Sequence, residues 1–344
     1  MKITLSFLAI FSLGILTAPQ FVKASPVSEE SIPAGVEWFI HLDADLLRQT
    51  RSGQAFFHEF RNVMPIDEET KKQMPIDPVL ILDGIRGLTL FGDMPDMSTG
   101  NPEDVPAVVL LEGTPDMMQV LRGLISGMQL ENPEAIANSR IGETSIMTLK
   151  EEGLHGCFVG DNRFLLSKSL LAMSEFLTVN STGQNHINLD QRFPTYRLGE
   201  RSGVFFGAFV EGLGSLNDLP AQARILKLTQ AVSIQLGEAG DSVNLMASLV
   251  TDSDQTGQQV QEVLQGILAL FMMTQNGQPD VATLIQSARV DRQGTAVSLN
   301  LSYPVERVEQ WAVVLAEMVR QEIESSQTPP PSGNDSAPES STGE

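Results

Sequence analysis

The chain has 344 residues and one cysteine, so no disulfide can form within it, and it is not a small scaffold held by cystine cross-links. Histidine is scarce at four residues, which leaves few groups for zinc ligation or for proton transfer near neutral pH. Basic charge is short too. The 22 Lys and Arg stand against 43 Asp and Glu, and a net charge of −21 repels phosphate, which excludes a nucleic-acid binder. No Gly-x-Ser-x-Gly elbow, no Gly-x-x-x-x-Gly-Lys phosphate cradle and no Gly-x-Gly-x-x-Gly turn occurs; Gly212-Leu213-Gly214 lacks the third glycine and reads as a strand end. His58 has no second histidine four residues on, so there is no zincin helix, and His186 reads as a solvated linker residue. The apolar run at 266–273, GILALFMM, is too short to cross a bilayer.

What is present is the composition of a globular protein: 42 % hydrophobic and 19 % charged residues, on a length that suits about two domains. Residues 1–24 read as a secretory signal peptide, with Lys2 in front, an apolar stretch from Ile3 to Leu16 and Ala24 at the expected cut. Export to the periplasm or beyond is therefore expected, with no transmembrane segment after signal removal; retention as an anchor stays open. Cys157 would then be a lone thiol in an oxidising compartment. It sits in the strand-like run Leu154–Val159, and its reading as a buried, inert thiol stands beside a nucleophile or an intermolecular disulfide. At the other end, residues 325–344 carry three consecutive prolines and no basic residue, and they predict a disordered acidic tail.

Between these ends one pattern is written twice. Glu37–Leu46 reads as a strand running into a helix, and Gly203–Gly212 resembles it. Polar, helix-permissive stretches follow at Leu46–Asn62 and Ala221–Thr229. Hairpins come next, at Ile85–Gly92 with Ala107–Gly113 and at Ala231–Gly237 with Ser242–Thr251. Thr114-Pro115-Asp116 opens a helix with an N-cap, a first-turn proline and an acid on the positive dipole end; Thr256–Thr274 is its counterpart. Strands return at Thr144–Lys150, Leu154–Gly160 and Arg163–Ser167, and at Ala288–Asp291 with Thr295–Ser302. Helices Ser169–Val179 and Val305–Ile323 close the halves, with Trp311 on the apolar stripe of the second as its expected buried anchor.

The predicted fold is α+β: duplicated β-α-β-β-α-β(-β)-α halves forming a mostly antiparallel sheet with helices on one face. The divisions are a signal at 1–24, a first repeat at 25–180, a linker at 181–202, a second repeat at 203–324 and the tail. The scheme resembles exported bacterial proteins of the domain-of-unknown-function type numbered 3352. Their halves open with alternating acids on a strand leading into a helix, as in His41-Leu42-Asp43-Ala44-Asp45-Leu46-Leu47, and Phe193-Pro194 with Gly203–Leu213 resembles the opening of their second half. The likeness spans most of residues 34–322. It implies the duplicated α+β fold and supplies no functional residue.

The best chemical candidate is His41-x-Asp43-x-Asp45. On a strand, a period of two puts all three on one face, where an imidazole and two carboxylates could bind Zn²⁺ or Mn²⁺. The alternative is a solvated face, with Ile40, Leu42 and Ala44 turned to the core and Asp45 capping the next helix. Asp93, Asp96, Glu103 and Asp104 crowd the loop Gly92–Val105, where Ca²⁺ competes with plain solvation. No cofactor is expected. The functional expectation is an exported, non-catalytic protein with a protein or envelope partner. A metal-dependent hydrolase on the His41 face and a carrier of an apolar ligand are the alternatives.

Overall fold

A computed structural model describes residues 29–63, 78–94, 106–192, 203–213, 227–274 and 279–327. The expected signal at 1–24, the tail from 328 onward, and Asp96, Glu103 and Asp104 of the acidic loop lie outside the described residues.

Aromatic and branched side chains make Trp38–Asp43 a strand, β1, and Asp43 ends it by turning its carboxylate to the helix that follows. Helix α1 (Ala44–Gln49) starts there, because Asp43 accepts the Leu46 N–H at 2.8 Å as its N-cap. The cap is thus Asp43 rather than Asp45. Helices α2 (Arg51–Val63) and α3 (Pro78–Gly84) follow, then strands β2 (Ile85–Gly92) and β3 (Ala107–Gly113). Helix α4 (Pro115–Glu131) begins as its sequence predicts, with the Thr114 hydroxyl accepting from the Met117 N–H and Pro115 at the first turn. A meander of β4 (Ile136–Ile141), β5 (Thr144–Leu149), β6 (Leu154–Val159) and β7 (Arg163–Ser167) leads to α5 (Leu170–Thr182). Gly183, in the left-handed conformation at φ 63°, closes α5. The short α6 (Leu189–Arg192) lies in the linker.

The second half runs β8 (Val204–Glu211), β9 (Thr229–Ala239), β10 (Ser242–Thr251), α7 (Asp254–Thr274), α8 (Pro279–Ser287), β11 (Arg289–Gln293), β12 (Ala296–Pro304) and α9 (Val305–Gln327). Strand β4 and helix α8 were not expected, since Ile136–Ile141 is polar at its centre, Asn138 to Arg140, and Pro279–Ser287 carries a short apolar stripe. Thr229 opens a strand and does not end a helix, and 221–226 lie outside the described residues. Ser325–Gln327 extend α9 where a disordered tail was expected to begin.

All twelve described strands form one antiparallel sheet in the order β11-β12-β10-β9-β8-β1-β2-β3-β7-β6-β5-β4. The fold is α+β, and both halves share the sheet. Reading outward from the β8/β1 seam, each half lays down three successive strands and then the strand that precedes its closing helix. At the seam Phe39 lies opposite Phe209 and His41 opposite Gly207, and the two phenyl rings meet edge to face at 4.2 Å.

Helices pack on both faces of this sheet, not on one. Phe39, Phe91, Leu110, Leu165 and Cys157 stand on the same face as Met173 and Phe176 of α5. Leu42, Leu88, Leu111 and Phe164 stand on the other, beneath α2, α3 and α4 with Phe57, Leu82, Met117 and Met118. The reason is in the strands: β2, β3 and β7 carry apolar residues at both parities, so both faces need cover. The second half adds a smaller cluster, Leu249, Val297 and Val260 of α7, on the Leu42 side of the sheet.

Candidate functional site

His41, Asp43 and Asp45 are all sealed inside the protein, at 0, 1 and 1 % exposure. The solvated-face reading is therefore corrected. β1 lies at the centre of a sheet covered on both sides, so alternation along it could not tell inside from outside. Phe39, His41 and Asp43 form the more deeply buried parity, and Trp38, Ile40 and Leu42 the half-buried one.

Each of the three side chains meets a different internal group. The His41 ring nitrogen Nδ1 lies 2.9 Å from Thr89 Oγ1, directly across on β2. Asp43 is spent on the helix cap. Asp45 sits in the first turn of α1 and pairs with Arg48 one turn on, at 2.7 Å, with Arg86 Nε 4.0 Å from its second oxygen. Arg48 in turn donates to the main-chain carbonyls of Leu82 and Ile85, so the Asp45–Arg48 pair ties α1 to the α3–β2 corner. Burial pushes the Asp45 carboxyl up to about 6, against the pull of Arg48 and Arg86. These are the contacts of a structural knot at the end of a central strand. Among the described residues no three His, Cys, Asp or Glu side chains are grouped to hold a metal ion.

The remaining candidates have separate surroundings. Cys157 is fully buried, and burial pushes its thiol up to about 12, which removes the thiolate a nucleophile needs. Of the acidic loop, Asp93 is described. Its carbonyl accepts from the Trp38 indole at 3.0 Å, while the next amide, of Met94, donates to Glu37 Oε2 at 2.7 Å. His58 is exposed on α2, and His186 Nδ1 lies 2.9 Å from the Ile187 carbonyl.

Sequence reasoning missed the surface that is unusual. Trp311 is not a buried anchor. It is 45 % exposed and stacks at 4.6 Å on the buried ring of Tyr303. Helix α9 buries Val305, Ala312 and Ala316 and leaves Trp311, Val313, Val314, Leu315 and Met318 exposed. On α7, Val260 is buried, but Leu270, Phe271, Met272 and Met273 are exposed. The available signal was an excess: both helices carry more apolar residues than one buried stripe can hold. Ser52 and Phe56 of α2 and Val308, Trp311, Leu315 and Met318 of α9 border a groove of about 410 Å³ lined almost wholly by apolar atoms. No helix among the described residues is long and apolar enough to cross a membrane.

No family model and no curated protein matches the chain. Solved structures of the Treponema protein TP0453 are similar to it. Crystal form III has a TM-score of 0.46 at 11 % identity over 86 % of this chain and 98 % of that one. Crystal form IV has 0.43 at 11 % over 85 % and 97 %.

Proposed function

We propose that the protein is an exported, non-catalytic binding protein that works through its apolar helical surface. The observation that carries this reading is the contrast between the groups with chemistry and the groups without it. The imidazole of His41 and the carboxylates of Asp43 and Asp45, the best chemical candidates, are buried and engaged in internal contacts. Among the side chains turned outward on α7 and α9 are Trp, Phe, Leu, Val and Met, which bind by burial. Export rests on the signal-like segment Met1–Ala24, and the likeness to the type numbered 3352 agrees with it.

Metal analysis of the purified chain and of His41→Ala tests the non-catalytic part. The expected result is no stoichiometric Zn²⁺ or Mn²⁺ in either protein. A metal bound by the parent and lost in the variant would overturn the reading in favour of a metal-dependent hydrolase.

A further inference from the structure

We propose that the groove between α2 and α9 receives an amphipathic α-helix with basic flanks. This proposal deepens the binding reading and rests on it. The spacing of the groove residues identifies the shape of the occupant. Val308, Trp311, Leu315 and Met318 follow one another at intervals of three, four and three residues, the a/d seam of two heptads. A seam of that period matches another helix along its length, since a facing helix presents its own side chains at the same repeat. Helix α2 already borders the groove with Phe56 and leaves the seam open on its other side. Trp311 is set in place before any partner arrives, because its ring lies flat on Tyr303, 21° from parallel. An aromatic anchor held in this way loses little freedom on docking.

Charge identifies the rest. At the Ser52 end of the groove three carboxylates surround one guanidinium, and a fourth lies beside them. Asp241, Glu306 and Glu309 lie 3.1, 3.5 and 3.3 Å from the Arg51 side chain. Glu238 accepts from the Arg51 and Ser52 amides and from the Ser52 hydroxyl. Arg307 is the next basic residue along α9, and the end of the groove stays acidic, as does the chain at −21. A second copy of this chain would bring the same charge against it. A helix with Lys or Arg beside its apolar stripe would be drawn in and held.

The test titrates the full chain into two labelled synthetic helices. Both carry leucine at the a and d positions of two heptads; one has lysine at the flanking positions and the other glutamate. The lysine helix should bind and the glutamate helix should bind at least about tenfold more weakly. Leu315→Glu should weaken binding of the lysine helix by about tenfold or more, although it adds a negative charge, because it interrupts the seam. Unchanged melting curves for Leu315→Glu separate this loss from unfolding. The proposal is overturned if the two helices bind alike, or if Leu315→Glu leaves binding intact. It is also overturned if the chain sediments as a dimer that Trp311→Ser dissociates, or if neutral phosphatidylcholine vesicles take up the groove and displace the lysine helix. Failure here with no metal in either protein above would leave the non-catalytic reading standing.

Discussion

Across the middle strands of the first half, apolar residues stand back to back: Leu110 and Leu111 on β3, and Phe164 and Leu165 on β7, serve opposite faces of the same sheet. Across the second half the same positions divide by parity. Val232, Leu249 and Val297 align on the face under α7, while Ser233, Ser248 and Ser298 align on the reverse. One half is filled from two sides, with large aromatic and aliphatic side chains. The other has a small apolar cluster on one side and, beyond Phe209 and Ala231 near the seam, a row of hydroxyls on the other. The lesson is that apolar residues in these two halves do different work. In the first they fill the interior. In the second a good share of them, on α7 and α9, remain on the surface.

The largest effects should come from the two-sided half. Phe39→Ala and Phe176→Ala each empty a site with no exposure and should cost about 3–5 kcal/mol in urea or thermal unfolding. A loss below about 1 kcal/mol would remove the basis of the comparison, since effects that small belong to surface sites.

Next is the buried knot at Asp45, whose carboxyl is raised from 3.8 to about 6. The folded state holds that proton more tightly than the unfolded chain does. Its stabilising contribution is therefore complete below pH 3.8 and is lost as pH rises through about 6. The shift corresponds to about 2–3 kcal/mol. Asp45→Asn should flatten the stability profile between pH 4 and 7, measured by denaturant midpoints in a pH series. An unflattened profile would place the titrating group elsewhere.

In the one-sided half Val260→Ala should cost less, about 1.5–2.5 kcal/mol, because it removes two methyl groups from a small cluster. A cost equal to that of Phe39→Ala would show that the second half is packed as heavily as the first. The smallest effect on stability is expected at Trp311→Ala, about 1 kcal/mol or less, from loss of the stack on Tyr303. A loss of 3 kcal/mol or more, the scale of about one buried aromatic, would return Trp311 to the core and remove it from the groove.

Particular elements show how far the sequence could be read. The start of α4 was legible because Thr114, Pro115 and Asp116 act within one turn, and the hairpins were legible because β9 and β10 alternate. Strand β4 was not, since its place depends on pairing with β5 and on little of its own apolar content. The alternation of His41, Asp43 and Asp45 was visible. The burial of all three was not, because a strand of period two has two faces and nothing in six residues says which of them another layer will cover.

By itself the sequence determined many of the local conformations, the α+β class and the acidic charge, and it showed one pattern repeated, all of which depend on residues close together in the chain or on their sum. The tertiary structure decided the rest. It joined β1 to β8 and so made one sheet from two halves, placed α5 on the face opposite α4, and turned the candidate metal ligands into a sealed structural knot. It also left the large side chains of α9 outside while burying Val305, Ala312 and Ala316. Those outcomes depend on which surfaces meet, and a helix stripe records that a residue is apolar without recording what, if anything, lies against it.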